Sequence, residues 1–314
     1  MTATEVRPDG IHHDDLVVIP DAPSPYEPDV GPLEVAADHP EPARRSRTGR
    51  RALATVTCLA VGFVVWGLLL SALPYARHQR ALERDFAAAA SQGLAPVNQP
   101  IAAGTPIARL RIPAIGLDAT VVEGSEARQL AAAPGHLRTS VLPGQSGVSV
   151  ILGRRHTHGA PFGDLDRLQR GDTIRVVNGQ GTWTYRVAFH RTVPADDATA
   201  FRASGDTLLL VTSDGLTAGH RLVVTARAPK GLGQTGTPTN AGPVTGAELG
   251  LQGDPTASTG LLVWTQVLVL AAAGTVVLHR RWGRWPTWLI AAPVLAAALW
   301  SVYEQAALLL PAAF

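Results

Sequence analysis

The chain has 314 residues, enough for one or two domains, and carries 27 Lys and Arg against 25 Asp and Glu. A net charge of +2 with 17% charged residues excludes a strongly basic nucleic-acid binder, and the single cysteine, Cys58, excludes an intramolecular disulfide and a multi-cysteine metal or iron–sulfur site within one chain. A mean hydropathy of +0.12 points to membrane segments.

Residues 1–51 read as a disordered cytoplasmic tail, because prolines from Pro8 to Pro42 alternate with acidic residues and little apolar surface is available to offset the entropy of ordering. Its His12-His13-Asp14-Asp15 run reads as a solvated cluster, and neither a metal nor a cofactor is assigned to the chain. Arg44, Arg45, Arg47, Arg50 and Arg51 then precede Ala52–Leu73, which has no charge. A hydrocarbon core needs about 20 helical residues, so 52–73 is predicted to span, with the arginines inside and Pro74 onward outside. The run is too long and starts too late for a cleaved signal peptide. Residues 74–103 are an expected extracellular stalk, with a polar helix over Arg77–Phe86.

From Gly104 to Lys230 the pattern is one of short strands. Ile107–Ile112 partly alternates, Ala119–Val122 resumes after Pro113 and Gly116, and Gly147–Leu152 is a short apolar run. Thr173–Val177 and Thr182–Phe189 flank Asn178-Gly179-Gln180-Gly181, a hairpin signal. Thr207–Thr212 and Leu222–Ala226 add two strands, and a short helix is expected around Phe162–Leu168. Seven or eight such strands predict a mainly β fold, a closed β-barrel over 104–230, which also removes exposed strand edges. Gly-, Thr- and Pro-rich residues 231–259 are an expected flexible linker. Residues 260–278 and 286–303 are two further predicted spans, joined by a cytoplasmic turn, 279–285, holding Arg280, Arg281 and Arg284.

The barrel segment resembles the sortase family, most closely its class E-like actinobacterial members. The similar features are Ile107–Pro113, Val121-Val122-Glu123-Gly124, Pro134-Gly135-His136, Leu142–Arg155, His158–Leu168, Gly171–Ile174, Leu208–Ser213 and Arg221–Val224, in that order and spacing. The resemblance implies an extracellular, membrane-tethered domain of the Gram-positive cell surface. Sortases are cysteine transpeptidases that cleave a sorting signal and join the new carboxyl end to an amine. In the family a Cys attacks the peptide carbonyl, a His gives a proton to the leaving amine, and an Arg stabilises the substrate and developing oxyanion.

On those motifs the His position holds Arg154 and the Cys position holds Ser213, while Arg221 matches the Arg. Cys58 lies in the first predicted span. A serine hydroxyl needs a positioned base to attack, and a guanidinium stays protonated at neutral pH. Two functional readings stand at this point beside a third, a purely architectural module that positions the two membrane regions. In one, the domain is inactive and binds a sorting-signal-like peptide or a cell-surface partner, with Arg155, His156 and His158 as peptide-binding candidates beside an electropositive cleft. In the other, Ser213 is the nucleophile of a hydrolase or transpeptidase and His156, His158 or His220 is its base. The expected partners are the lipid bilayer and such a peptide or surface protein, with no nucleic acid. Asp164, Asp166 and Asp172 fall at a short helix and a turn, where Asp caps and turns are expected, so no calcium site is assigned.

Overall fold

The computed structural model describes residues 47–91, 100–215, 219–228, 232, 236–240, 242–282, 284–311 and 313. Most of the expected disordered tail, residues 1–46, lies outside them; its last residues, from Arg47, are helical. Three stretches of helix are long and apolar enough to cross a membrane: Gly49–Ser91, Ala257–Arg281 and Pro286–Leu309.

The first span and the expected stalk helix are one rod. Helix α1 (Arg47–Val65) passes through a π turn (Trp66–Leu70) into α2 (Ala72–Ser91), and Ser71 N–H donates to Trp66 O at 2.8 Å to close the wide turn. The helix therefore does not end at Pro74: the missing proline N–H falls just after the wide π turn, where the regular i→i−4 pattern is already shifted. The far half of α2 is docked on the barrel. Gln79 accepts the Thr120 N–H at 2.8 Å and donates to the Thr120 and Ala132 carbonyls at 3.2 Å each, and Glu83 pairs with Arg109 at 2.6 Å.

Eight strands follow: β1 (Pro106–Ile112), β2 (Leu117–Glu123), β3 (Gly135–His136), β4 (Val148–Leu152), β5 (Thr173–Asn178), β6 (Gly181–Pro194), β7 (Thr207–Ser213) and β8 (His220–Arg227). They close in the order β1-β2-β3-β4-β7-β8-β6-β5, so no strand edge is left open. A short helix, α3 (Ala127–Ala132), stands between β2 and β3. The hairpin between β5 and β6 turns where the sequence indicates; the Asn178 carboxamide oxygen accepts the Gln180 N–H at 3.0 Å and the Trp183 indole N–H at 3.1 Å. The helix expected at Phe162–Leu168 is a single 3-10 turn, Leu165–Arg167.

Strand β7 is buried along its whole length because both of its faces are covered. Leu208 and Leu210 point into the barrel with Ile151, Val224 and Phe162. Leu209 and Val211 point outward with Val150, Leu152 and Val223, under a cover formed by α3, Phe201 and Leu249. The described part of 231–259 is not a free tether. Leu232 N–H donates to Asp206 at 2.7 Å, Thr239 bonds Glu123, and Glu248 pairs with Arg138. Polar side chains on the barrel give this glycine-rich stretch the anchorage that its own composition lacks. Helices α4 (Ala257–Trp282) and α5 (Arg284–Leu309) then run as an antiparallel pair, and the Tyr303 hydroxyl donates to Leu59 O at 2.9 Å, tying α5 to α1.

Candidate functional site

Three strands bring the predicted residues to one end of the barrel. β4 and β7 are parallel, so Arg154, just past β4, and Ser213, the last residue of β7, emerge together. β8 is antiparallel to β7, and Ser213 is paired directly with Arg221. Residues opposite one another in a ladder share a face. Ser213 follows Leu209 and Val211 at period two, and Arg221 precedes Val223 in the same way, so both continue the outer, covered face. The Arg154 guanidinium reaches the Ala127 carbonyl of α3, which covers that face, at 3.2 Å. Gly153 must be glycine here, since an added Cβ would stand 2.6 Å from the Phe162 ring.

All three side chains are buried and poorly satisfied. Arg154 is 0% exposed. It donates to Thr157 Oγ1 at 3.1 Å and to Ala127 O, and its Nε makes no hydrogen bond. Arg221 stacks over Phe201 at 5.0 Å, while its Nη1 and Nη2 are unbonded. Among the described residues neither guanidinium has an ion-pair partner within 4.0 Å. Loss of hydration lowers each from the ordinary arginine range to about 10; Asp196 opposes the change weakly at Arg221. Both stay cationic at neutral pH. The Ser213 hydroxyl, also buried, has no hydrogen-bond partner among the described residues, so no histidine there is seated as its base.

The three candidate bases are engaged or elsewhere. His156 Nε2 stands 2.9 Å from the Gly215 carbonyl, a contact in which that nitrogen must donate. His220 is exposed at the start of β8. His158 is buried, edge-on to Trp66, with its backbone N–H donating to Ser71 Oγ at 2.8 Å and its Nδ1 unbonded. Burial first, then the Arg154 charge and His78, push its pKa down to about 3, so it is neutral. His158 faces α5 across a cavity of about 290 Å³ lined by Glu304, Gln305 and Leu308. Arg155 is committed to structure: it donates to the Ser213 carbonyl at 3.2 Å and pairs with Asp166 at 3.3 Å and Asp214 at 3.5 Å.

Parts of the site have no signature in the sequence. A cavity of about 280 Å³ runs over β4, lined by Val148, Val150, Leu137 and Ser140 and roofed by Phe201 and Leu249. Phe201 joins it to the Arg221 guanidinium. Its amphipathic lining suits an extended apolar peptide. Beside it lies a Glu123–His136–Ser140 relay, with His136 Nδ1 2.8 Å from Glu123 and Nε2 3.0 Å from Ser140 Oγ. This relay is structural. The Ser140 proton goes to Leu137 O at 2.8 Å, its oxygen accepts the Val150 N–H at 3.0 Å, and His136 Nε2 stands 2.9 Å from the Val141 carbonyl, a contact in which that nitrogen must donate, so it is not seated as a base for Ser140. Among the described residues no cluster of side chains is arranged to hold a metal.

Comparison with known proteins agrees with this architecture. Residues 110–228 match the model of the sortase domain family. Sortase D of Bacillus subtilis is 33% identical over 88 residues, 28% of this chain and 43% of that protein, so the match spans less than half of that relative. Similar solved structures include a Clostridium perfringens sortase D5 transpeptidase (22% identity, 49% of this chain, 97% of the other, TM-score 0.41) and sortase C1 from Streptococcus agalactiae (32% identity, 40% of this chain, 68% of the other, TM-score 0.37). The residues that match the sortase domain family, 110–228, run from β1 through β8 of the closed eight-stranded barrel.

Proposed function

We propose that this barrel is a peptide-binding sortase domain of the cell surface that does not catalyse transpeptidation. The observation that carries the reading is the pair Arg154 and Ser213. One is a buried cation that cannot exchange protons near pH 7, and the other a hydroxyl with no base beside it. General acid–base assistance is worth about 10²–10⁴-fold and an activated nucleophile more, so the two substitutions remove both halves of the covalent step. What is left suits recognition: a largely apolar cavity over β4, joined through Phe201 to the under-bonded Arg221 guanidinium, which favours a peptide carbonyl or carboxylate. The motif order supports class E-like actinobacterial ancestry. The arginines before and in the first turns of α1, and those at the end of α4 and the start of α5, support a cytoplasmic N-terminal tail and an external barrel.

The test uses the full chain in detergent with sorting-signal peptides and a serine-directed fluorophosphonate, followed by mass spectrometry. The expected result is reversible peptide binding with neither cleavage nor a Ser213 adduct. An adduct on Ser213 or a cleaved peptide would establish the serine-enzyme reading instead.

A further inference from the structure

The segment that follows α5 lies on the Ser213 end of the barrel. Leu308 packs with the outer-face cluster beside Leu249, and its carbonyl accepts the Asp254 N–H at 2.8 Å. Beyond it the chain reads Leu310-Pro311-Ala312-Ala313. Ala313 is buried, its carbonyl accepts the Ser213 N–H at 3.2 Å, and its own N–H donates to Gly250 O at 3.4 Å. Gly250 has φ +72°, and a Cβ there would stand 3.1 Å from the Ala313 Cβ, so the seat requires glycine.

The position of that carbonyl follows from the ladder. β4 and β7 pair as far as Leu152 and Val211, and Gly153 N–H gives the last bond, to Val211 O at 3.1 Å. Two residues on, Ser213 points its N–H to the side where β4 has already left. Ala313, in a turn, supplies the missing acceptor through one backbone hydrogen bond, the kind of main-chain contact by which a peptide ligand docks on a sheet edge. The composition suits that role: Pro311 has no N–H to satisfy, and Ala313 is small enough to lie close to the sheet. The fit is by backbone alone. Ser213 Oγ and the Arg221 Nη1 and Nη2 are still unbonded beneath it, and a buried unsatisfied polar group costs about 1–3 kcal/mol. A segment seated over unsatisfied groups is held weakly enough to be exchanged.

We propose that the stretch carrying Leu310, Pro311 and Ala313 is an intramolecular ligand of the Ser213–Arg221 cleft, which competes with short extended peptides of leucine, proline and small residues arriving from outside. The proposal rests on the peptide-binding reading above. Its probe is an acetylated synthetic peptide with the sequence of residues 309–314, added to the full chain and to a chain lacking 310–314. Removal of the segment is expected to tighten peptide binding about tenfold or more, as for any tethered competitor at millimolar effective concentration. Hydrogen exchange at the Ser213 amide is expected to be slow in the full chain, fast in the shortened one, and slow again when the peptide is added. Ala313→Trp, which leaves the barrel sequence intact, is expected to repeat both effects if the shortened chain folds poorly. Equal peptide affinity in the full and shortened chains would overturn the proposal and leave the peptide-binding reading standing. Unchanged Ser213 exchange on removal would also overturn it. Binding by neither chain, with Ser213 exchange accelerated by the removal, would overturn the peptide-binding reading and this proposal with it.

Discussion

Ser213 and Arg221 face one another across the last rung of β7 and β8, a hydroxyl and a guanidinium that are both buried and both short of hydrogen bonds. Arg154 adds a second buried cation at the same barrel end. A fold does not gain stability from unpaired buried charges, and apolar replacements of buried charged groups are often neutral or stabilising. Arg154→Met and Arg221→Leu are therefore expected to raise stability, by about 1–3 kcal/mol each, while weakening peptide binding. Thermal melts in detergent and peptide titrations check the pair. A melt that falls with unchanged affinity would make these arginines structural.

If the cleft has kept its shape and lost only its reactive groups, Ser213→Cys combined with Arg154→His is expected to restore peptide cleavage, whereas either change alone restores little. Mass spectrometry of a sorting-signal peptide after incubation reads the product. Removal of residues 310–314 in the same background is expected to raise the rate further, because Ala313 otherwise holds the backbone donor next to the new nucleophile.

His158 sets an acid limit. Its folded pKa is about 3, against an ordinary value near 6.5, because burial and the Arg154 charge oppose protonation. Between those values the unfolded chain binds a proton that the folded chain does not, so stability falls as pH drops through that window, by up to about 1.4 kcal/mol per unit. His78 and Arg128 add positive charge around the same cavity and Glu304 adds negative charge. His158→Asn is expected to flatten the dependence of Tm on pH between 6.5 and 4.5. Asn also tolerates the left-handed backbone found there, φ 51°.

Glu123 holds two things at once: the His136 ring inside the barrel and the Thr239 hydroxyl of the following segment. Glu123→Leu leaves a buried imidazole and a hydroxyl without their acceptor, and is expected to cost about 3 kcal/mol or more. Limited proteolysis is expected to cut within 236–256 earlier in that variant than in the native chain. Early cutting inside β1–β8 instead would show that Glu123 serves the barrel alone.

The barrel was legible because its signals are local. β7 reads as an uninterrupted Leu-Leu-Leu-Val run, the Asn178–Gly181 turn sits between two alternating strands, and the residues gathered at the site lie at strand ends. The rest depends on contacts between distant residues. Ser213 and Ala313 meet through one backbone hydrogen bond, which has no side-chain pattern to betray it. The 231–259 stretch looks like a tether by composition, and only Arg138, Asp206 and Glu123, far away in sequence, fasten it. The π turn at Trp66–Leu70 joins what reads as a span and a separate stalk helix, since hydropathy changes there while the helix does not break.

Gln79 engages the barrel with both ends of its carboxamide, so the rod that begins in the apolar stretch is clamped to β2. Tilting or turning that rod carries the cleft along with it. With the barrel outside the membrane, as proposed above, a peptide would therefore meet the cleft at a set distance from the lipid surface.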